Sequence, residues 1–537
     1  MTAEPRAFLA IDQGSATTSV ALIGRLASTW RWLGGLAVPA SADPEIAVQT
    51  LVERVVAADP SLRDIVGATT GPDAAELPRL TVTSRRPPRL AVVAGSERAL
   101  AALRATADRS GWRTVAASVE SVDPLAMTSL LLDPTVDAVL AGAGDPPRPD
   151  ERSTIAELSS LVAAVAERRP ELPIILAGGM SEGQAAFGDV ASRGGGLLLA
   201  PAAEREVDAA SDPLAAFLLE VALPVDDPRR AIGAATQALA DVLDRRVETI
   251  VLGHDASVRA SAAPSAGGVA ATARLAVVPN AAVAPDEPDD AIVDGVLVWS
   301  TVPSDRHRLR DRLRELRIAP WADVTGEGTA LRMAAARAAL GRLVTHTPGA
   351  AWSTAPDLVV TSSGVWSPIP APTVTLAIID VIRRTGASQY ALDHGRLLGV
   401  LGAIPDPKER RLLLGDLADD LLAPLGSVVT PAGLRAGRSA GSLTVHAGGE
   451  TTELDLVPGG LELVDLAPGE TAVAEFRFRD TVRLATRGRH FAVDVGGGLA
   501  GLLIDLRDVP LRLPDRADRR RDLLAAWQAG LWAGSEA

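Results

Sequence analysis

Phe8-Leu9-Ala10-Ile11-Asp12-Gln13-Gly14-Ser15-Ala16-Thr17-Thr18-Ser19-Val20-Ala21-Leu22-Ile23 decides how this chain is read. Two apolar runs flank a short polar turn that carries an acid, a glycine and a row of hydroxyls, the pattern of a β-hairpin. Backbone N–H groups and hydroxyls in such a turn converge on a phosphate, while the Asp12 carboxylate holds a water or Mg²⁺ on the far side. Gly14 leaves room for close approach. Gly14, Ser15, Thr17 and Thr18 are therefore candidate phosphate contacts, and Asp12 is the candidate for the metal shell. The competing reading is an ordinary hairpin with a hydroxyl-rich turn.

Outward from the hairpin, Leu36 to Val38 reads as a third strand and Ala47 to Ala57 has apolar residues at helical spacing. Ile65 to Thr70 reads as a further strand. From Arg89 the pattern changes to strands alternating with helices: strands at 90–94, 114–117, 136–141 and 173–179, helices at 97–109, 124–132 and 154–168. This predicts a parallel sheet with helices on its faces, of Rossmann or flavodoxin type, with Gly142, Gly144, Gly178 and Gly179 at the carboxyl ends of its strands. Without a GxGxxG turn, no dinucleotide site is expected there.

A helix from Pro228 to Leu243 leads to Val247-Glu248-Thr249-Ile250-Val251-Leu252-Gly253-His254-Asp255-Ala256-Ser257, which has the shape of the opening hairpin repeated. Here the position expected to carry the acid holds Leu252 or Gly253, and Asp255 comes later. Asp255 and Ser257 are its candidate site residues. Pro356 to Trp366 is an apolar strand ending in Ser362-Ser363-Gly364, and the run from Leu397 to Ala403, with Gly399 and Gly402, suits a closely packed helix. From Gly426 helical periodicity gives way to short alternating runs between Gly/Pro turns, which predicts a small β-barrel or sandwich. The resulting division is 1–88, 89–200, 201–425, 426–515 and a terminal helix in 516–537.

At 537 residues the chain is long enough for more than one core, and 47% hydrophobic with 22% charged residues is a globular composition. A net charge of −14 argues against nucleic acid or an anionic membrane as partner. There is no cysteine, which excludes disulfides, thiolate metal sites and thiol nucleophiles, and Lys408 is the single lysine, which leaves almost no candidate for Walker-type or Schiff-base chemistry. No leader or membrane-span pattern is visible, so a cytoplasmic location is expected.

The pattern acid-x-Gly-Ser-x-Thr-Thr followed by alternating apolar residues resembles the first phosphate motif of the actin/Hsp70/sugar-kinase superfamily, and the Ser363-Gly364 end resembles its adenosine-contact loop. More widely, the chain resembles the methylaspartate (glutamate) mutase accessory proteins, called MutL or GlmL and unrelated to the mismatch-repair protein. It is closest to the longer members with an added β-rich C-terminal domain. The carriers are Asp12 to Thr18, Ile174 to Gly178, Ser362-Ser363-Gly364, Leu392-Asp393-His394-Gly395 to Ala403, and Gly501 to Leu511. The resemblance implies an α/β fold of duplicated actin-like (ribonuclease H-like) lobes, with the α/β insertion and a C-terminal β domain. It also implies ATP and Mg²⁺ as ligands and an accessory role, of chaperone or reactivating type, toward an adenosylcobalamin-dependent mutase. Departure from the motif at the second phosphate loop makes ATP binding with slow or absent hydrolysis the expected form. The alternatives are a non-enzymatic actin-like scaffold and a small-molecule kinase. The kinase needs a catalytic aspartate, and Asp494-Val495-Gly496-Gly497-Gly498 falls in the β-rich region instead.

Overall fold

The structure is a computed structural model that describes residues 6–66, 77–143, 152–180, 196–203, 212–266, 271–319, 325–347, 355–366, 368–435 and 438–531. It is a mixed α/β protein, with four sheets among the described residues. The opening hairpin forms β1 (Ala7–Gln13) and β2 (Thr17–Leu26), followed by β3 (Thr29–Pro39) and β4 (Arg79–Thr83). Their order is β3-β2-β1-β4, with β4 parallel to β1. Alternation explains why both faces of β1 and β2 are apolar. Leu9, Ile11, Val20 and Leu22 pack on the helix Pro44–Ala58, while Ala10, Ala21 and Ile23 join a core with the helix Pro228–Leu243. Ile65 and Val66, read from the sequence as strand, lie in the short helix Arg63–Val66, and the strand beside β1 is β4. Residues 67–70 of that expected strand lie outside the described residues.

Next comes a five-stranded parallel sheet of β5 (Arg89–Ala94), β6 (Arg113–Ser118), β7 (Ala138–Ala143), β8 (Ile174–Gly178) and β9 (Leu197–Ala200), in the order β6-β5-β7-β8-β9. Apolar cores lie on both faces, as a parallel sheet requires. Two of its strand-end glycines have structural uses. A Cβ on Gly142 would meet the Leu103 side chain at 2.5 Å, and Gly178 has φ +61°. Gly144 lies outside the described residues.

The remaining strands are β10 (Val247–Val251), β11 (Ser257–Ala262), β12 (Arg274–Val278), β13 (Leu358–Ser362), β14 (Gly386–Asp393), β15 (Leu422–Thr430), β16 (Gly441–Ala447), β17 (Glu450–Leu456), β18 (Leu461–Val464), β19 (Thr471–Arg483), β20 (Arg487–Gly496) and β21 (Leu502–Asp505). An eight-stranded sheet runs β12-β11-β10-β13-β14-β15-β21-β18. Its first four strands repeat the arrangement of β3-β2-β1-β4: three antiparallel strands, then a strand parallel to the hairpin's first. The α/β insertion is tied to its edge by Gly111 N–H to Val277 O at 2.8 Å and Val277 N–H to Arg109 O at 2.9 Å.

Between the two hairpin sheets lie the helices Pro228–Leu243 and Leu398–Gly402. Their closeness depends on glycine: a Cβ on Gly402 would stand 2.2 Å from Ala231 O, and one on Gly399 would stand 2.8 Å from Pro228 Cβ. Only hydrogen fits there.

The C-terminal region does not divide at Gly426, which lies inside β15. There β15, β21 and β18 hydrogen-bond into the eight-stranded sheet, whereas β17-β16-β19-β20 form a separate antiparallel sheet. The two layers share one core of Val429, Leu443, Val445, Phe476, Leu502 and Ile504. Alternation along these strands identified them as β; which sheet each joins depends on pairing across tens of residues. The segment after β21 is held by a buried ionic cluster. Arg507 binds both Asp505 (Nε to Oδ1, 2.8 Å) and Asp380 (Nη1 to Oδ1, 2.6 Å), and its guanidinium lies 4.5 Å from the Trp527 ring centre on the helix Ala517–Gly530. Among the described residues no helix is long and apolar enough to cross a membrane.

Candidate functional site

A cavity of about 630 Å³ opens where the two hairpin turns face each other, and its wall is completed by the start of the helix at Pro228, the turn after β13 and the segment after β14. The turns are equivalent in detail. A Cβ on Gly14 would meet Thr17 O at 2.7 Å, and a Cβ on Gly253 would meet Ala256 O at 2.4 Å. This aligns Gly14 with Gly253, hence Ser15 with His254 and Asp12 with Val251. The position of the second acid is therefore held by Val251, two residues before the shared glycine, and not by Leu252 or Gly253.

Seven of the nine residues selected from the sequence line this cavity: Asp12, Gly14, Ser15, Thr17, Asp255, Ser363 and Gly364. Thr18 and Ser257 do not. Thr18 is buried within β2 beside Gln13, and the Ser257 hydroxyl donates to Ala281 O at 2.6 Å. Both point away because neighbouring residues of a strand alternate between faces. The Ser363 hydroxyl donates to Leu252 O at 2.5 Å and accepts from Val365 N–H at 2.9 Å, so it shapes its own turn. Gly364 leaves that turn open toward the cavity. Asp494, the alternative kinase acid, lines a different groove with Arg245, Gln389 and His446.

Several charged groups that the sequence reading did not select converge here. Asp227 caps the helix Pro228–Leu243, accepting from Arg229 N–H at 3.0 Å, and binds Arg229 Nε at 2.8 Å through the same oxygen. Arg229 Nη2 also donates to Arg85 O at 2.6 Å, while its Nη1 is buried and has no hydrogen-bond partner. The Asp-Pro-Arg cap was legible as a helix start, but not its placement at the cavity. Arg396, in the left-handed region at φ +56°, donates through Nη1 to Thr17 Oγ1 at 3.0 Å. Asp393 accepts from Leu397 N–H and Leu398 N–H, both at 3.1 Å, and from Ser362 Oγ at 2.9 Å. It is thereby committed to holding the loop that presents Arg396.

The electrostatics follow from burial. Asp12 is pushed up to about 7, chiefly by loss of water around it, with Arg396 opposing and Asp227 and Asp393 adding to the rise. Its Oδ1 has no hydrogen-bond partner. Burial likewise lowers His254 to about 4, so its imidazole is neutral at pH 7, and its Nε2 is unpartnered. Burial would raise Asp255, but hydrogen bonds from Ser15 and Arg317 outweigh it and hold the carboxyl below its ordinary range. Arg317 Nη2 lies 2.7 Å from Asp255 Oδ1.

These donors do not fit a divalent cation. Mg²⁺ takes hard anionic oxygens in near-octahedral order. Here the first hairpin supplies Asp12, flanked by arginines, the second supplies Val251, and Asp255 is already paired with Arg317. Among the described residues no group of three or more Asp, Glu or His is placed to hold a metal ion.

No protein-family model and no curated protein sequence matches the chain. Among solved structures it is similar to nucleotide-free acetone carboxylase, from work on the mechanism of ATP-dependent acetone carboxylation, at 12% identity over 83% of this chain and 80% of that one, with a TM-score of 0.30. It is also similar to the PPX-GPPA enzyme of Aquifex aeolicus, at 6% identity over 76% of this chain and 89% of that one, with a TM-score of 0.20. At these values neither neighbour's chemistry transfers to this chain.

Proposed function

We propose that the chain is a two-lobed, actin-like nucleotide-binding protein that holds ATP in the cavity between its hairpin turns and turns it over at or near background rate. One observation carries the reading: two equivalent glycine turns face one cavity, bringing Gly14, Ser15 and Thr17 from one lobe against Asp255 from the other and Gly364 from the turn after β13. Gly14, Ser15 and Thr17 take the phosphates, and Gly364 borders the adenosine. Weak hydrolysis follows from Val251. Phosphoryl transfer needs charge-stabilising groups on both sides of the leaving phosphate, and losing one commonly costs on the order of a hundredfold in rate.

The biological role we propose is that of an accessory factor whose lobes close on nucleotide and pass that closure to a partner. The sequence resemblance to glutamate mutase accessory proteins makes an adenosylcobalamin-dependent mutase the first partner to assay. A specific observation favours a second reading, the nucleotide-free scaffold: the Ser15 and Thr17 hydroxyls are already engaged across the cleft by Asp255 and Arg396. Thermal melting with and without ATP, paired with a phosphate-release assay beside Asp12→Ala, separates the two. A melting shift without phosphate release supports the binding protein, no shift at millimolar nucleotide supports the scaffold, and release that vanishes in Asp12→Ala restores a working ATPase.

A further inference from the structure

We propose that the cleft binds its phosphate-bearing ligand without a divalent cation, the ligand's negative charge being met by the guanidinium groups of Arg229 and Arg396. This rests on the nucleotide-binding reading above and deepens it. The two-lobed cation arrangement requires an acid in each hairpin, and the glycine equivalence puts Val251 opposite Asp12. A valine side chain has no lone pair to offer. What stands beside Asp12 in place of the second acid is two guanidinium groups, Arg396 and Arg229, the latter paired on one side with Asp227 and leaving Nη1 to the cavity.

Arg229 is only 8% exposed, and its position is set by four hydrogen bonds: its backbone N–H, Nε and Nη2 to Asp227, and Nη2 also to Arg85 O. Nη1 is left over, buried and unpartnered, on a residue that lines the cavity. A buried guanidinium N–H without an acceptor is costly unless something supplies one, and an anionic oxygen is the acceptor that suits it best. Arg229 also stands in the first turn of a sixteen-residue helix, where backbone dipoles favour an anion. Arg396 approaches from the segment after β14. Its Nη1 touches Thr17 of the first glycine turn and would lie 3.0 Å from a Cβ on Gly364, so it spans the space between the proposed phosphate and nucleoside ends.

The acids facing these arginines are accounted for. Asp227 is spent on the helix cap and on Nε and Nη2 of Arg229, Asp393 on two backbone N–H groups and Ser362, and Asp255 on Arg317. Only Asp12 remains, and one carboxylate between two guanidinium groups is a poor place for Mg²⁺. It is a suitable edge for a phosphate whose charge the arginines take up, because guanidinium N–H groups form short, charge-assisted bonds to phosphate oxygens.

The test is calorimetric titration of the full chain with ATP, once in Mg²⁺ and once in EDTA, repeated with Arg396→Met, Arg396→Lys and Arg229→Met. The expected result is binding in EDTA at an affinity equal to that in Mg²⁺, weakened roughly ten- to hundredfold by either methionine variant. Arg396→Lys keeps the charge but not the planar fork and should recover part of the loss. Binding that appears only with Mg²⁺ overturns the proposal and leaves the nucleotide reading intact. Binding in EDTA that both methionine variants retain in full also overturns it. Absence of ATP binding in both buffers removes the nucleotide reading itself. Since Arg229→Met leaves Asp227 buried and unpaired, the comparison of Mg²⁺ with EDTA on the unmodified chain decides the matter even if that variant does not fold.

Discussion

Asp12→Asn is expected to make the protein more stable at alkaline pH and to leave it nearly unchanged at acid pH. Asp12 sits at the end of β1 with Oδ1 sealed from water and without a hydrogen-bond donor, and its carboxyl is displaced from an ordinary 3.8 to about 7, chiefly by burial. An acid raised in the folded state binds more protons folded than unfolded between those two values, so folding stability falls as pH rises through that window and levels off above it. At about 1.4 kcal/mol per pK unit the full displacement corresponds to roughly 4 kcal/mol at alkaline pH. Asp12 keeps part of its surface in the cavity, and water there screens the charge, so a realistic gain for the uncharged amide is about 2 kcal/mol. For a cooperative unit of about 150–250 residues that is on the order of 4–8 °C in melting temperature. The assay is a melting curve of parent and variant at a series of pH values from about 5 to about 8, read as the difference between the two, because other titrating groups cancel in that difference. A difference that stays constant across the series, or a variant that melts lower at the alkaline end, would refute the reasoning and place the Asp12 carboxylate in an environment that favours its charge.

Two further outcomes follow from packing. Gly402→Ala should destabilise the contact between the two central helices by about 1–3 kcal/mol, because the added methyl meets Ala231 O at 2.2 Å in a place where neither backbone can withdraw freely; chemical denaturation of the variant reads this directly, and a change under about 0.5 kcal/mol would show that the helices can separate at little cost. Arg507→Met should cost about 3–5 kcal/mol, since it leaves Asp505 and Asp380 buried with one partner each, Arg383 and Arg337. It should also expose the helix Ala517–Gly530 to proteolysis, because the stacking of Arg507 on Trp527 is lost; an unchanged digestion pattern would assign the docking of that helix to its other contacts.

How much of the site was legible beforehand differs residue by residue. Gly14, Ser15 and Thr17 could be found because a glycine and hydroxyls between two apolar strands describe a turn, and a turn is local. Thr18 and Ser257 were selected by proximity along the chain, and strand alternation turned them inward. The fault in the second loop was visible as a missing acid, but its position was not. Only the matching approach of Gly14 and Gly253 to a backbone oxygen three residues on identifies Val251 as the counterpart of Asp12.

Short-range periodicity determined by itself that the chain opens with a hairpin around a glycine- and hydroxyl-bearing turn, repeats that shape near residue 250, carries a parallel α/β region from Arg89 and turns to β structure ahead of a terminal helix. Each of these depends on residues two to four apart, where the spacing of apolar side chains states which face will be buried. Tertiary structure alone decided that Arg229, Arg396 and Asp393 meet Asp12, and that β15, β18 and β21 extend the large sheet instead of closing a separate domain. Those outcomes join groups that are tens to hundreds of residues apart. Nothing in the neighbourhood of Arg396 along the chain distinguishes it from other arginines, and its environment exists only once the helices Pro228–Leu243 and Leu398–Gly402 have come together through Gly399 and Gly402, bringing the two hairpin turns to the same cavity.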